Sequence, residues 1–549
     1  MKGAAILSAS TLLVKLLGLL FSIPLANFIS AEGMSYFYGA YDIFTIFLML
    51  STAGLPIAVS RMVSTAYARN CRKEADQVFS VSFWLFFSIG LLGSLVMLLG
   101  AEQIAQMLHK PGAAGTIRAL APTTFFISVT SALRGYFQGR SNMVPTAMSQ
   151  VIEAVTKVAI GVGLAAYIVS QLGDDTFAAV GAISGVSISA ALGTLYLAAY
   201  KLRQKRRDRT LPPDGGVVAS RRDMLLSLVR FAIPITIGSC FLSVLDFVDS
   251  AVLMDRMITG AGLSQAQADW FSGVLGHARK FFDLPGAFVV PISTSLLPVL
   301  SGAIVSGDRH SVLHISSISM RVTLIIAIPA SVGMSLFAEP ICSLLLFNKP
   351  EVAAGAARLL AVLATAIAFN SALLTTNAIL QSFGRTTRPV VHMAVGGVVK
   401  IALSYFLTAI PEMNVMGSAI STVLSYLLIM VLNLIAIRES LPDMDGIVVT
   451  SMPILLASAA MGAASYGVYQ GLLLFLPQRL AVLPAIVVAL AVYGAAVVLF
   501  KAVTYDDVVM LPKGEALARL LHVRRKFRPR HMERRLPKVN PKKGRHLRL

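Results

Sequence analysis

Residues 133–157 read LRGYFQGRSNMVPTAMSQVIEAVTK, and residues 377–400 read NAILQSFGRTTRPVVHMAVGGVVK. Each runs from Gln through a Gly-Arg pair to a Pro that opens a long apolar run, with one Lys past the middle of that run. Gln138, Gly139, Arg140, Pro145 and Lys157 answer to Gln381, Gly384, Arg385, Pro389 and Lys400. Matching both Pro and Lys needs a one-residue insertion and then a one-residue deletion, so the pair is persuasive mainly through its place in two similar halves.

The surroundings set the class. Of 549 residues, 56% are hydrophobic and only 13% charged, about half the charge of a soluble domain. Apolar stretches of about 20 residues, enough to cross about 30 Å of hydrocarbon, recur about fourteen times. The expected fold is an all-α integral membrane protein. Six spans form an N-lobe (1–200) and six a C-lobe (225–438), with two extra spans at 447–502. A basic linker (201–224) carrying Pro-Pro and Gly-Gly joins the lobes, and a basic tail (503–549) is too polar and Pro-broken to fold alone. The repeated stretch joins spans four and five in one lobe and ten and eleven in the other, and each lobe begins on the same side. The repeat is therefore parallel, about an axis along the membrane normal.

Most of the 47 Lys and Arg residues fall in even-numbered connections and at the termini, which places both termini in the cytoplasm. The first apolar run is too long for a cleaved leader, carries Lys15 in its middle and is read as a span. Cys71, Cys240 and Cys342 are too few and too scattered for a disulfide framework or a Cys-rich metal site. The tail suits anionic lipid head groups. Without a folded reader domain or aromatic interleaving, it does not suggest nucleic acid.

Charges at bilayer depth cost about 3 kcal/mol or more and so mark function or pairing. Lys15 lies midway along span one. Asp246 and Asp249, three apart in span seven, share a face; they are candidates to pair with Lys15 or to take a coupling cation, H+ or Na+. Arg279 and Asp283 are spaced for an i,i+4 pair that would leave Lys280 free for an anion. Glu153 and Lys157 have the same spacing, whereas Lys400, with Gly396 and Gly397 in the preceding turn, must find a partner on another helix. Helix breaks and hinges are expected at Gly54 and Pro56 before Arg61, at Gly139 and Pro145, and at Pro285 and Pro291.

No Walker loop, dinucleotide fingerprint, HExxH or nucleophile elbow is present, which argues against an enzyme. A cationic interior between two lobes suits an anionic cargo, with phosphate or pyrophosphate the obvious group.

The first-half pattern KLLGLLFSIPLAN…AYDIF…GLPIAVSRMVS, with RGYFQG…M.PTA.SQ..E, resembles the stage V sporulation protein B branch of the polysaccharide-exporter superfamily. That branch is related to the MurJ lipid II flippases and more distantly to the multidrug and toxin extrusion proteins. The resemblance covers residues 1–440 and is looser in the second half, through FFDLPGAFVVPISTSLLPVLS. It implies a bacterial cytoplasmic-membrane protein, two lobes in a V, alternating access and export of an undecaprenyl-pyrophosphate-linked sugar, without a cofactor. By position it assigns substrate contacts to Lys15 and Lys280 and, less directly, Arg61; Arg279, next to Lys280 in sequence, is a further candidate contact. Where MurJ proteins carry a second Arg followed by Asp in span one, this chain has Phe21 and Ser22. A monomer is expected. The residues leave open a cation-coupled drug antiporter using Asp246 and Asp249, or a scaffold acting through its tail.

Overall fold

The computed structural model describes residues 2–69, 71–208, 220–444 and 446–503; part of the basic linker and nearly all of the basic tail lie outside them. Among the described residues the chain is helical without a strand. The helices are α1 (Lys2–Phe28), α2 (Ala31–Thr52), α3 (Leu55–Ala68), α4 (Arg72–Leu99), α5 (Ala101–Met107), α6 (Ala114–Gly139), α7 (Val144–Thr156), α8 (Gly163–Leu172), α9 (Asp175–Asp208) and α10 (Arg221–Asp255). They continue with α11 (Gln265–Phe282), α12 (Gly286–Val305), α13 (Arg309–Leu336), α14 (Ala338–Leu345), α15 (Pro350–Leu363), α16 (Ala366–Ser382), α17 (Thr387–Thr408), α18 (Val415–Arg438), α19 (Ile447–Leu472) and α20 (Gln478–Leu499).

Among the described residues ten helical segments are long and apolar enough to cross a membrane, or eleven when the 50° bent pair α15–α16 is taken as one. The fourteen spans expected are thus not all reached on length and composition. α6, for example, is rich in Ser and Thr, which pair across the bundle instead of facing lipid: Thr123 with Ser187 at 2.6 Å and Thr130 with Thr194 at 2.7 Å. The chain is a multi-pass membrane protein.

α1 to α9 pack mainly among themselves, as do α11 to α18, with α19 and α20 laid against α13 and α14. α10 touches both groups, meeting α2, α3 and α4 on one side and α17 on the other. Breaks fall where Pro removes a backbone donor and clashes with the preceding turn. α2 gives way to α3 at Ala53–Gly54, before Pro56, and α11 to α12 at Asp283–Pro285. Pro291 and Pro298 are accommodated inside α12, which continues through them.

The repeated stretch is now exact in register. Ser141 N donates to Gln138 O (2.9 Å) and Asn142 N to Phe137 O (3.0 Å); Gly384 N donates to Gln381 O (2.9 Å) and Arg385 N to Leu380 O (3.0 Å). Both helices end on a left-handed residue, Ser141 at φ 57° and Gly384 at φ 73°, as helix C-termini often do. Gly139 and Gly384 are therefore not equivalent. Gly139 instead lets α6 close on α3, since a Cβ there would lie 2.6 Å from Ser60 O. Lys157 and Lys400 stand at the same distance from Gln138 and Gln381, without gaps. A second repeat joins α5 to α6 and α14 to α15: Lys110-Pro111 (φ −129°, ψ 72° at Lys110) matches Lys349-Pro350 (φ −134°, ψ 74° at Lys349).

Candidate functional site between the two helix groups

The two groups are fastened at the end of the bundle that carries Ser30, opposite the linker. The Asn27 side chain, closing α1, donates to Leu345 O (2.8 Å) and accepts from Asn348 N (2.9 Å). Tyr36 and Ser35 of α2 donate to Asp269 of α11 (3.2 and 3.5 Å), and Tyr38 OH lies 3.3 Å from His277 Nδ1. Gly273 makes the approach possible, because a Cβ there would fall 1.8 Å from Ala31 O. Toward the linker end α1 and α12 make only marginal contact.

Lys15 is exposed on α1. One face of α1 presents Leu13, Leu16 and Leu20, the residues expected toward lipid. At 100° per residue, Lys15 falls on the other side, in line with Thr11, Gly18 and Ser22, and nothing lies within 4 Å of a Cβ at Gly18. Lys157 opens a π-helical segment, Lys157–Val162, that interrupts span five; such bulges re-aim side chains. Its Nζ sits 4.9 Å from the Phe21 ring centroid and in the field of Lys280, from the opposite group of helices. Lys280 is exposed at the last turn of α11. Arg61 of α3 stacks over Phe231 of α10, 5.0 Å from its centroid. Among the described residues none of these four cations has a carboxylate within 4 Å.

Three sequence-derived pairings are corrected. Glu153 does not pair with Lys157: its Oε1 lies 2.6 Å from Arg134 Nη2, across from α6. Arg279 does not pair with Asp283. It reaches Asp249 Oδ2 at 3.3 Å and donates to Ser418 Oγ at 3.1 Å, which leaves Asp283 exposed at the α11–α12 break. Asp246 and Asp249 do not meet Lys15; their partner is Lys400, 3.6 Å from Asp246 Oδ1 and 3.0 Å from Asp249 Oδ2. For Glu153 and Arg279 a partner from another helix wins over the local i,i+4 choice, whose free energy is only a few tenths of a kcal/mol; for Asp246 and Asp249 a lysine of α17 takes the place of the one expected on α1. The expected cationic contacts thus divide: Lys15, Arg61 and Lys280 stay available, while Arg279 is tied down.

The sequence reading missed Asp42 and Lys110. Asp42 accepts from Ser250 and lies in the field of Lys110, Arg279 and Asp246. Lys110, only 1% exposed, faces Asp42 and Asp269. The signals were present: Asp42 is the one charge in AYDIF, and Lys110 precedes a Pro as Lys349 does. Lys349, in the connection between α14 and α15, is shifted below the usual lysine value by burial, partly offset by Asp175 and Glu32.

Among the described residues no group of three or more His, Cys, Asp or Glu could hold a metal ion, and the three cysteines are free. Among the described residues Lys15, Arg61, Lys157 and Lys280 are thus ammonium and guanidinium groups without a carboxylate within 4 Å, a donor set suited to an anion.

Comparison with known proteins agrees with this architecture. The chain is 26% identical over 438 residues to the uncharacterized membrane protein YabM of Bacillus subtilis, covering 80% of each. It is 26% identical to stage V sporulation protein B (80% of this chain, 84% of the relative) and 25% identical to the lipid II flippase MurJ (84% and 87%), both of the same organism. A solved structure of lipid II flippase MurJ in an inward closed conformation superposes with TM-score 0.70 at 16% identity, over 92% of this chain and 100% of that one. An inward-facing multidrug resistance MATE family transporter superposes with TM-score 0.64 at 16% identity, over 78% and 94%. A MatE family model matches residues 273–406. The family model described as "Polysaccharide biosynthesis protein" matches residues 1–304, more than half of the chain, and the chain belongs to that family.

Proposed function

We propose that this protein is a flippase that moves an undecaprenyl-pyrophosphate-linked cell-wall precursor, lipid II, from the cytoplasmic to the outer leaflet by alternating access. The observation that carries the reading is the set of four cations without carboxylate partners, Lys15, Arg61, Lys157 and Lys280, contributed by both helix groups. Keeping them unpaired is costly in a membrane interior. A pyrophosphate would relieve that cost through charge-assisted hydrogen bonds. The Lys/Arg bias puts the linker end in the cytoplasm, so the fastened Ser30 end faces outward and cargo enters from the cytoplasmic leaflet. Rocking of the groups about the α2–α3 and α11–α12 breaks then exposes it outside. The partners are the lipid-linked oligosaccharide itself and, at the basic tail, anionic lipid heads.

The test is rescue of bacteria depleted of their own lipid II flippase. The wild-type chain rescues them, and Lys15→Gln/Lys280→Gln, present in the membrane at equal level, does not. Full rescue by that variant overturns the assignment. Failure of the wild type to rescue, with export of another polyprenyl-linked oligosaccharide restored in a strain lacking that exporter, would keep the cation roles and move the substrate.

A further inference from the structure

The seam between α10 and α17 carries an arrangement that the flippase reading does not use. Asp246 and Asp249 project from successive turns of α10, and Lys400 Nζ lies between them, 3.6 Å from Asp246 Oδ1 and 3.0 Å from Asp249 Oδ2. The Asp249 side chain is 1% exposed, Lys400 17% and Asp246 72%. One oxygen of Asp249, Oδ2, also receives Arg279, while Oδ1 is buried without a hydrogen-bond partner. Two carboxylates converging from one helix, with a carboxylate oxygen left over, are the donor type that a small hard cation uses. Here the centre between them is filled by an ammonium covalently attached to α17.

The backbone around Lys400 is built for that reach. A Cβ at Gly397 would lie 2.4 Å from Leu245 Cδ1 of α10, and one at Gly396 would lie 2.2 Å from Ile429 Cγ1 of α18. The glycines that replace the Glu153 turn of the first copy thus bring α17 against both neighbours. They are the reason this lysine, unlike Lys157, meets carboxylates.

We infer that Lys400 is a built-in counter-cation. Its ammonium occupies the position where the α10 carboxylates would otherwise take a free inorganic cation, so the α10–α17 seam assembles without Na+. Removing the Lys400 charge leaves Asp249 with Arg279 alone and Asp246 without an ion pair among the described residues. A buried carboxylate stripped of its partner is strongly destabilised, and a small cation from solution is the replacement that fits an oxygen-lined gap. The charge-neutral alternative, protonation of a carboxylate, gives no dependence on the cation supplied.

Thermal unfolding of the full chain in detergent, at constant ionic strength with choline chloride exchanged for NaCl or LiCl, tests this without reference to any lipid cargo. The wild-type midpoint should not move on the exchange. Lys400→Ala and Lys400→Gln should unfold several degrees lower in choline and regain at least half of the loss in Na+ or Li+. That recovery should vanish in Lys400→Ala/Asp249→Asn. Three results overturn the inference: an Asp249-dependent rise of the wild-type midpoint with Na+, no loss in the Lys400 variants, or a loss that no cation repairs. If neither neutral variant folds, Lys400→Arg should be recovered at wild-type yield and Lys400→Met should not; equal yields of those two also overturn it.

Discussion

Arg134 Nη2 stands 2.6 Å from Glu153 Oε1, and Arg134 Nε donates to Ser149 Oγ at 3.1 Å. That pair joins α6 to α7 and, by occupying Glu153, leaves Lys157 one turn away without a carboxylate. Both side chains are about four-fifths buried, so removing one leaves the other poorly solvated. Arg134→Gln should cost roughly 2–3 kcal/mol. It should also let Glu153 turn toward Lys157 and cut transport more than stability, and Arg134→Gln/Glu153→Gln should recover most of the transport. Rescue of flippase-depleted cells, read beside the unfolding midpoint, checks it. Equal transport in the single and double variants counts against the link.

Closing the Ser30 end depends on Gly273. Even the methyl of Gly273→Ala would meet the Ala31 carbonyl at a distance no real Cβ adopts, and because the neighbour is backbone, α2 and α11 must separate. In a chain freed of Cys71, Cys240 and Cys342, cysteines placed at Asn27 and Asn348 should crosslink readily. Adding Gly273→Ala should lower the crosslink yield several-fold.

At the linker end Glu439 takes hydrogen bonds from Arg388 and Arg385 (3.1 Å for the latter). The Arg388 hydrogen bond, then its charge and Arg385, hold the Glu439 carboxyl below the usual glutamate value. With the folded value depressed, the contribution is complete above the ordinary glutamate pKa of about 4.3 and is lost as pH falls through the folded value. Proteolysis within residues 383–389 should therefore be flat from about pH 8 to 5 and rise only below about pH 4. Glu439→Gln should raise it at every pH.

Arg61 is held over Phe231 by a contact between cation and ring face, worth about 0.5–2 kcal/mol. Phe231→Leu should leave the fold intact and weaken transport a few-fold, whereas Arg61→Gln should weaken it more. Equal effects of both would mean that Arg61 serves only to pack α3 on α10.

The sequence made the class and the two-fold plan legible because hydropathy and prolines act locally: α2–α3 and α11–α12 break beside Pro56 and Pro285, where a missing donor forces it. It also required Lys400 to find a distant partner, since glycines fill the turn before it. What it could not supply were choices between partners. Glu153 and Arg279 each had a plausible neighbour a turn away, and Asp249 an expected partner in Lys15; each took one from another helix instead, where burial strengthens the attraction. The π-helical segment at Lys157 had no local signal at all. Asp42 and Lys110 were visible as isolated charges, but the field each exerts on the other depends on the packing of α2 against the connection after α5.

Native mass spectrometry of the gently purified protein tests the central claim most directly. The wild-type chain should carry a polyprenyl-pyrophosphate lipid whose mass gives the attached sugar, and Lys15→Gln/Lys280→Gln should lose that adduct while keeping ordinary phospholipids. A wild-type spectrum with phospholipids alone, or an adduct undiminished in the double variant, would contradict the account.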